Sequence, residues 1–192
     1  MAEYCIGTAQ FGMDYGIANQ SGKPKQDEID RIVEFAVESN IRYFDTAQSY
    51  GESETILGKA VSKLPDVHNI RMISKLAPDL QESSSAIIIE SVKSSLEKLN
   101  VGSLYGFLGH RVEAINSDSF ITAIEILKKD RLVIKTGVSV YTPEDALDAM
   151  KNPLVEILQI PFNILDGRWI DEGIIEKAQE NNIQLFFRSI FL

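Results

Sequence analysis

Residues 41–51 have the sequence Ile-Arg-Tyr-Phe-Asp-Thr-Ala-Gln-Ser-Tyr-Gly, in which a short apolar run ends on Asp45 and passes into a polar loop that carries Tyr50. The stretch before this run has apolar side chains at i, i+3, i+4 and i+7, the spacing of one helix face: Ile29, Ile32, Val33 and Ala36. An amphipathic helix that leads into a buried strand is part of a βαβ unit, and such units build parallel sheets.

The same alternation continues toward both ends of the chain. Apolar runs recur about every 30 residues with helical stretches between them, which is typical of repeated βαβ units. The runs are Tyr4–Ile6, Ile41–Phe44, Ile70–Ile73, Leu104–Leu108, Leu132–Ile134 with Val138, Val155–Ile160 and Ile183–Phe187. Their nearly continuous apolar character predicts strands that are covered on both faces. Because no linker interrupts the pattern, we interpret residues 1–192 as one domain.

Helix boundaries can be placed from capping residues. Thr142 precedes Pro143, and two acidic residues follow the proline. This pattern predicts a helix that begins at Pro143 and is capped by Thr142. Asparagines follow three other helical stretches, at Asn40, at Asn100 and at the pair 181–182. Asparagine tolerates the left-handed conformation that often ends a helix, so we expect helix ends at these positions.

Two architectures fit a parallel α/β chain: an open doubly wound sheet and a (β/α)₈ barrel of the TIM type. A doubly wound dinucleotide-binding fold usually has Gly-x-Gly-x-x-Gly after an early strand, and this motif does not occur in the sequence. The stretch Gly7-Thr8-Ala9-Gln10-Phe11-Gly12 has too few glycines to replace it. The pattern therefore favours the barrel.

The composition argues against several classes of partner. The formal net charge is −9 over 192 residues and the sequence pI is about 4.8, so we expect neither nucleic acid nor anionic membrane as a partner. The first residues have no basic and apolar leader, and no apolar run reaches the roughly 20 residues that span a bilayer. We expect a cytoplasmic protein. With Cys5, His68 and His110 as its only cysteine and histidines, the sequence predicts no metal site.

Four ionisable residues fall at the ends of consecutive predicted strands, where a barrel gathers its reactive groups: Asp45, Tyr50, Lys75 and His110. Each residue type alone is more often structural than catalytic, and the interpretation depends on finding all four together. An ammonium group lowers the pKa of a nearby phenol from its ordinary value near 10. A carboxylate would hold the ammonium, and an imidazole could donate a hydrogen bond to a substrate oxygen. Such a set suits proton donation to a carbonyl oxygen.

The stretch from Tyr43 to Glu54, continuing to Leu57 and Gly58, resembles the signature of the aldo-keto reductase family. Other segments resemble the family's strands in the same order: 7–12, 73–76, 108–111, 137–140, 159–163 and 187–192. The resemblance implies a (β/α)₈ barrel that reduces aldehydes or ketones. In it Tyr50 is the general acid, Lys75 lowers the pKa of Tyr50, Asp45 holds Lys75 and His110 orients the carbonyl oxygen.

The resemblance also implies a nicotinamide cofactor, NADPH, with NADH left open. It places Thr8 beside the nicotinamide, Ser139 and Gln159 on the carboxamide, and Ser189 at the pyrophosphate. Arg188 stands where many members have a stacking tyrosine, and its planar guanidinium can stack on a ring in the same way.

Only seven strands can be counted, and the eighth βα unit of a complete barrel has no residues. We therefore expect an incomplete, C-terminally truncated barrel. In the family, the segment after the eighth strand grips the 2′-phosphate of the cofactor, so the resemblance implies weakened cofactor selection. The unpaired edges of the first and seventh strands would favour pairing with a second copy of the chain.

Three functions remain open at this point. The first is an active reductase of aldehydes or ketones. The second is a catalytically inactive fragment of such an enzyme with a binding role or no independent role. The third is an isomerase or lyase barrel that binds a phosphorylated metabolite, which is disfavoured because Arg188-Ser189-Ile190 offers no glycine-rich phosphate loop.

Overall fold

The computed structural model describes residues 3–16, 19–65 and 69–190. Its strands are β1 Cys5–Gly7, β2 Tyr43–Asp45, β3 Arg71–Lys75, β4 Leu104–Gly109, β5 Val133–Ser139, β6 Ile157–Pro161 and β7 Gln184–Arg188. The helices are α1 Ala9–Gly12, α2 Gln26–Glu38, α3 Ser53–Val61, α4 Ser85–Leu99, α5 Val112–Ile115, α6 Asp118–Lys129, α7 Pro143–Ala149, α8 Arg168–Asp171 and α9 Ile174–Glu180. A 3₁₀ turn, Pro78–Leu80, follows β3.

The strands form one seven-stranded parallel sheet in the order β1-β2-β3-β4-β5-β6-β7. Each strand pairs with the next along the chain, and helices fill the crossovers. The sheet curves until β7 approaches β2 across the interior, where the rings of Tyr43 and Phe186 meet edge to face at 5.5 Å. The predicted fold, a (β/α)₈ barrel with about seven strands, is confirmed.

The core has two layers, as a barrel requires. A small inner cluster fills the barrel interior and consists of Tyr43, Ile73, Leu108 and Ile157. Cys5 packs against this cluster, and burial raises the pKa of its thiol. The larger cluster lies between the sheet and the helices and includes Phe44, Phe107, Phe120 and Trp169.

Four helices end in the same way. In α2, α4, α6 and α9 the C-cap residue or the residue after it is left-handed, with φ between 54° and 61°: Asn40, Asn100, Arg131 and Asn182. The next amide donates to the carbonyl five residues earlier, as in Ile41 N to Ala36 O at 2.8 Å and Ile183 N to Ala178 O at 2.8 Å. This is the Schellman motif. The asparagine prediction is confirmed, and Asn182 rather than Asn181 is the left-handed residue of its pair.

The strands begin later than the apolar runs predicted. The run at 41–44 gives a strand at Tyr43–Asp45, and the run at 183–187 gives one at Gln184–Arg188. The reason is that Ile41 and Ile183 close the preceding helix through the Schellman bond, so they pack on the outer core without joining the sheet ladder at once. The predicted cap of α7 is confirmed, since Thr142 Oγ1 accepts a hydrogen bond from Asp145 N at 3.1 Å.

Candidate active site

Asp45 and Lys75 form a buried ion pair at the C-terminal rim of the barrel. They end the neighbouring strands β2 and β3, so their side chains leave the sheet side by side. Lys75 Nζ donates to Asp45 Oδ1 at 2.6 Å and to the carbonyl of Thr46 at 2.9 Å. The Lys75 side chain is only 2% exposed and that of Asp45 is 14% exposed. The pair is therefore rigid and largely dry, as the predicted role of Asp45 in holding Lys75 requires.

Tyr50 lies over this ion pair. The Lys75 ammonium is 5.2 Å from the centre of the Tyr50 ring. Burial raises the pKa of the Tyr50 phenol, Lys75 lowers it, and Asp45 raises it again, and the net direction is upward from the ordinary value of 10. The sequence predicted that Lys75 would bring this pKa down. Lys75 does act in that direction, but the cost of burying a phenolate outweighs it.

Two glycines let the Tyr50 loop pack closely on α1. A Cβ atom at Gly12 would lie 1.8 Å from the carbonyl oxygen of Tyr50 and 2.4 Å from the amide of Ser53. Gly51 has a φ of +56°, a conformation that L side chains rarely adopt, and its own Cβ would meet the Gly12 carbonyl at 2.5 Å. Side chains are thus excluded at both positions, and the backbone of Tyr50 is fixed against α1.

A buried cluster of hydroxyl groups supports the same loop from behind. Ser53 Oγ donates to Thr8 O at 2.8 Å and accepts from Thr46 Oγ1 at 3.1 Å. Thr8 Oγ1 donates to Asp45 O at 3.0 Å. Thr8 is fully buried and its hydroxyl is engaged in this cluster, while its predicted contact with a nicotinamide stays a prediction. Ser53 and Thr46 were missed as supporting residues, because nothing in their spacing indicates which hydroxyls converge.

Glu54 is a second buried residue that supports the site, and the sequence analysis assigned it no role. It lies in the first turn of α3 and is 2% exposed. Ser74 Oγ, next to Lys75 on β3, donates to Glu54 Oε1 at 2.7 Å, and Lys98 Nζ lies 3.9 Å from Glu54 Oε2. The carboxylate therefore ties α3 to the strand that carries Lys75.

His110 follows β4 and completes the predicted set. Its Nδ1 lies 2.8 Å from the carbonyl oxygen of Leu76. A carbonyl oxygen can only accept, so Nδ1 carries the hydrogen. Burial lowers the pKa of His110 below its ordinary value of 6.5, and the hydrogen bond to Leu76 opposes this. The ring is therefore neutral at pH 7, with a bare lone pair on Nε2. The predicted donation from His110 to a substrate oxygen stays a prediction.

The predicted carboxamide ligands, Ser139 and Gln159, lie side by side. They are direct partners in the ladder between β5 and β6, and each is 3% exposed. Among the described residues, neither side chain has a hydrogen-bond partner, so a hydroxyl and an amide are both available at the rim. Their contact with a cofactor stays a prediction.

Arg188 ends the edge strand β7 and stacks on the ring of Tyr141, with 4.3 Å between guanidinium carbon and ring centre. Its Nη2 also reaches the carbonyl of Val140 at 3.4 Å. Ser189 follows in an exposed left-handed conformation with a φ of 58°. Both residues lie at the rim, and their predicted roles in stacking and in pyrophosphate binding remain predictions.

A cavity of about 460 Å³ opens at this rim. Its walls include His110, Ser139, Val140 and Tyr141, so it lies beside the predicted carboxamide site. Tyr50 borders the neighbouring part of the rim and is not one of its lining residues. Trp169 is fully buried in the outer core.

Within the described part of the chain, no three His, Cys, Asp or Glu residues lie close enough to hold a metal ion. No helix among the described residues is long and apolar enough to cross a membrane.

Comparison with known proteins agrees with this geometry. A probable aldo-keto reductase from Glycine max is 25% identical over 162 residues, which cover 79% of this chain and 46% of that protein. An aldo-keto reductase from Strobilurus tenacellus is 24% identical, covering 94% of this chain and 54% of that protein. The chain thus spans about half the length of these two relatives.

Solved structures show the same fold. A putative aldo-keto reductase from Pseudomonas aeruginosa superposes with a TM-score of 0.79 at 24% identity, covering 95% of this chain and 71% of that one. An aldo-keto reductase from Klebsiella pneumoniae, solved in complex with NADPH, gives 0.74 at 19% identity, covering 96% and 62%. The model of the aldo/keto reductase family matches residues 3–191. The chain therefore belongs to the aldo/keto reductase family.

Proposed function

We propose that the chain carries the site of an NADPH-dependent reductase that converts an aldehyde or ketone to an alcohol. One observation carries the proposal: the Asp45–Lys75 pair is buried and its ammonium lies 5.2 Å from the centre of the Tyr50 ring. His110 lies on the same rim. A phenol next to a fixed cation can release a proton at a defined place. Family membership supports the same chemistry.

The acid half of the reaction follows from these residues. Tyr50 donates its proton to the carbonyl oxygen as negative charge develops there. The Lys75 ammonium stabilises the phenolate that remains, and Asp45 keeps the ammonium in place through the 2.6 Å contact. Both groups are fixed before substrate arrives, so no reorganisation is needed during the reaction.

The proposed cofactor binding is based on two polar side chains on β5 and β6, Ser139 and Gln159. A bound NADPH would supply the hydride to the carbonyl carbon. Among the described residues, the hydroxyl of Ser139 and the amide of Gln159 have no hydrogen-bond partner, so they suit a carboxamide, and the flat Arg188 guanidinium suits the face of a ring. Relatives solved with NADPH and with NADP favour the phosphorylated cofactor, and NADH is the alternative.

The first experiment is a titration of NADPH into the purified chain, followed by cofactor fluorescence. We expect saturable binding in the micromolar range. Tyr50→Phe should keep this binding and abolish reduction of a test aldehyde, whereas Ser139→Ala combined with Gln159→Ala should weaken binding.

The outcome separates the reductase from its alternative. A folded chain that shows no saturable NADPH signal would instead be an inactive fragment of the family fold. Equal aldehyde reduction by the wild-type and Tyr50→Phe chains would refute the proposed role of Tyr50. Because the chain spans about half the length of its relatives, these results concern the chain as given.

A further inference from the structure

One side chain, that of Gln48, joins the Tyr50 loop (residues 46–52) to α4 and to the backbone that follows β3. The opposite side of the loop is held against Thr8 and α1 by the hydroxyl of Ser53 and by the close approach of Gly12. Among the described residues, Gln48 makes the only side-chain hydrogen bonds between this loop and α4. The loop is therefore anchored on two sides, and Gln48 provides the link to α4.

Gln48 uses both ends of its amide group. Its Oε1 accepts a hydrogen bond from the backbone amide of Ala77 at 2.9 Å. Because a backbone amide can only donate, this contact fixes which end of the side chain is the oxygen. Nε2 then faces α4 and donates to Ser91 Oγ and Ser95 Oγ, each at 3.1 Å. Ser91 is free to accept because its own hydroxyl donates to the carbonyl of Ile88 at 2.8 Å.

The backbone of Gln48 binds the same segment as its side chain. The Gln48 amide donates to the carbonyl of Lys75 at 3.2 Å, so residue 48 is hydrogen-bonded to both residue 75 and residue 77. Tyr50 lies two residues further along, in a turn closed by the bond from its amide to the carbonyl of Ala47 at 3.0 Å. A shift of Gln48 away from β3 would therefore move the Tyr50 ring away from the Lys75 ammonium, which lies 5.2 Å from the ring centre.

We propose that Gln48 is a positioning residue for the proposed reduction: through Ala77 and α4 it holds the Tyr50 loop so that the phenol stays over Lys75. Gln48 is not one of the residues that line the rim cavity, so it acts through the backbone that it fixes. The catalytic consequence rests on the proposed reductase function, whereas the placement of the loop can be measured without activity.

Hydrogen exchange followed by NMR measures that placement. Gln48→Met removes the three hydrogen bonds of the side chain and keeps nearly the same length. The amide of Ala77 then loses its acceptor, and the amide of Tyr50 exchanges more often because its turn is held less firmly. Both amides should exchange on the order of tenfold faster, the effect of losing one or two hydrogen bonds. Gln48→Glu keeps an oxygen for Ala77 and should restore the protection of the Ala77 amide.

Gln26→Met is the matched control. Gln26 is also half-buried, and its Nε2 donates to Asp30 Oδ1 at 2.9 Å within α2 and to the carbonyl of Ile56 on α3 at 3.2 Å. Its replacement removes a comparable set of hydrogen bonds at a distance from Lys75. It should leave the exchange of the Tyr50 and Ala77 amides unchanged.

Steady-state reduction of a test aldehyde measures the catalytic consequence. Gln48→Met should lower kcat by roughly tenfold to a hundredfold, because displacing a catalytic group by about 1 Å has an effect of that size. KM and the affinity for NADPH should stay as in the wild-type chain, since Gln48 contacts neither the cavity nor the predicted cofactor ligands. Gln26→Met should keep the wild-type kcat.

Each result bears on the proposal in a defined way. Unchanged exchange of the Tyr50 amide in Gln48→Met would overturn it, and so would a wild-type kcat in that variant. An equal loss of kcat in Gln26→Met would assign the effect to general destabilisation and would also overturn it. If the wild-type chain neither binds NADPH nor reduces the aldehyde, the reductase function has failed, and the exchange rates alone decide whether Gln48 holds the Tyr50 loop.

Discussion

Replacing Lys75 with methionine should destabilise the chain strongly, because Lys75 is a buried cation with one charged partner. Methionine has nearly the length of lysine and fills the same space without the ammonium group. In the variant, Asp45 keeps a negative charge that is 14% exposed and loses the contact at 2.6 Å. The carbonyl of Thr46 also loses its hydrogen bond from Nζ at 2.9 Å.

The size of the effect follows from the burial of the two partners. Removing one partner of a buried ion pair typically costs ~3–5 kcal/mol, because the remaining charge is left without compensation. Since Asp45 can still recruit some water, we expect about 3 kcal/mol, the lower end of that range. The corresponding surface variant, Lys63→Met, breaks a pair with Asp30 whose side chains are 58% and 24% exposed, and should cost at most about 1 kcal/mol.

Urea denaturation followed by far-ultraviolet circular dichroism measures these differences. The double variant Asp45→Asn with Lys75→Met should recover much of the loss, because it removes the stranded charge. A loss from Lys75→Met no larger than that from Lys63→Met would refute the reasoning. So would a double variant that is as unstable as Lys75→Met alone.

Two further predictions concern the packing of the Tyr50 loop and the charge of His110. Gly12→Ala places a methyl group 1.8 Å from the Tyr50 carbonyl oxygen and should lower the free energy of unfolding by about 3 kcal/mol or more. The control is Gly102→Ala, whose methyl group meets nothing within 4 Å. In the same urea assay it should change the free energy of unfolding by less than about 1 kcal/mol. Because the pKa of His110 is lowered in the fold, the unfolded chain binds more protons below about pH 6.5, so the contribution of His110 to stability falls as the pH drops through that value. His110→Asn should flatten this pH dependence, and an imidazole proton titration with a midpoint at or above 6.5 would contradict the assignment.

The rim residues were predictable because of how parallel strands are ordered. Asp45, Lys75 and His110 follow three consecutive apolar runs, and β2, β3 and β4 are neighbours in the sheet in the same order. Chain order therefore equals spatial order, and residues at successive strand ends must converge on one rim. The contact between Asp45 and Lys75 at 2.6 Å is the direct result.

The helix ends were predictable only where the residue type reveals the backbone. Asparagine at positions 40, 100 and 182 marks a left-handed cap, because its short polar side chain tolerates that conformation. Arg131 adopts the same conformation with a φ of 60° and gave no signal, since arginine is not favoured there. Its conformation is imposed by the Schellman bond from Leu132 N to Leu127 O at 2.9 Å.

The hydrogen-bond partners of the site residues could not be predicted from the sequence. The residue type of His110 indicates a proton carrier, but which nitrogen faces the cavity depends on Leu76, which directly follows β3. The same applies to Thr8, whose hydroxyl is taken by Asp45 O and lies against Ser53, 45 residues away in sequence. Tertiary packing determines these hydrogen bonds, and no local sequence pattern predicts them.

The two halves of the proposed reaction differ in how the sheet supports them. Asp45, Lys75 and His110, which the proposal places around the donated proton, lie at the ends of β2, β3 and β4. Each of these strands is paired on both sides. The hydroxyl cluster and the two glycines add further supports to the Tyr50 loop. Arg188, by contrast, ends β7 and Ser189 follows it, and β7 has one strand partner among the described residues and half-exposed side chains. The acid geometry should therefore survive conditions that loosen the cofactor side, so a weak NADPH titration would not by itself show that the Asp45–Lys75–Tyr50 arrangement is lost. The stability of Lys75→Met tests that arrangement separately.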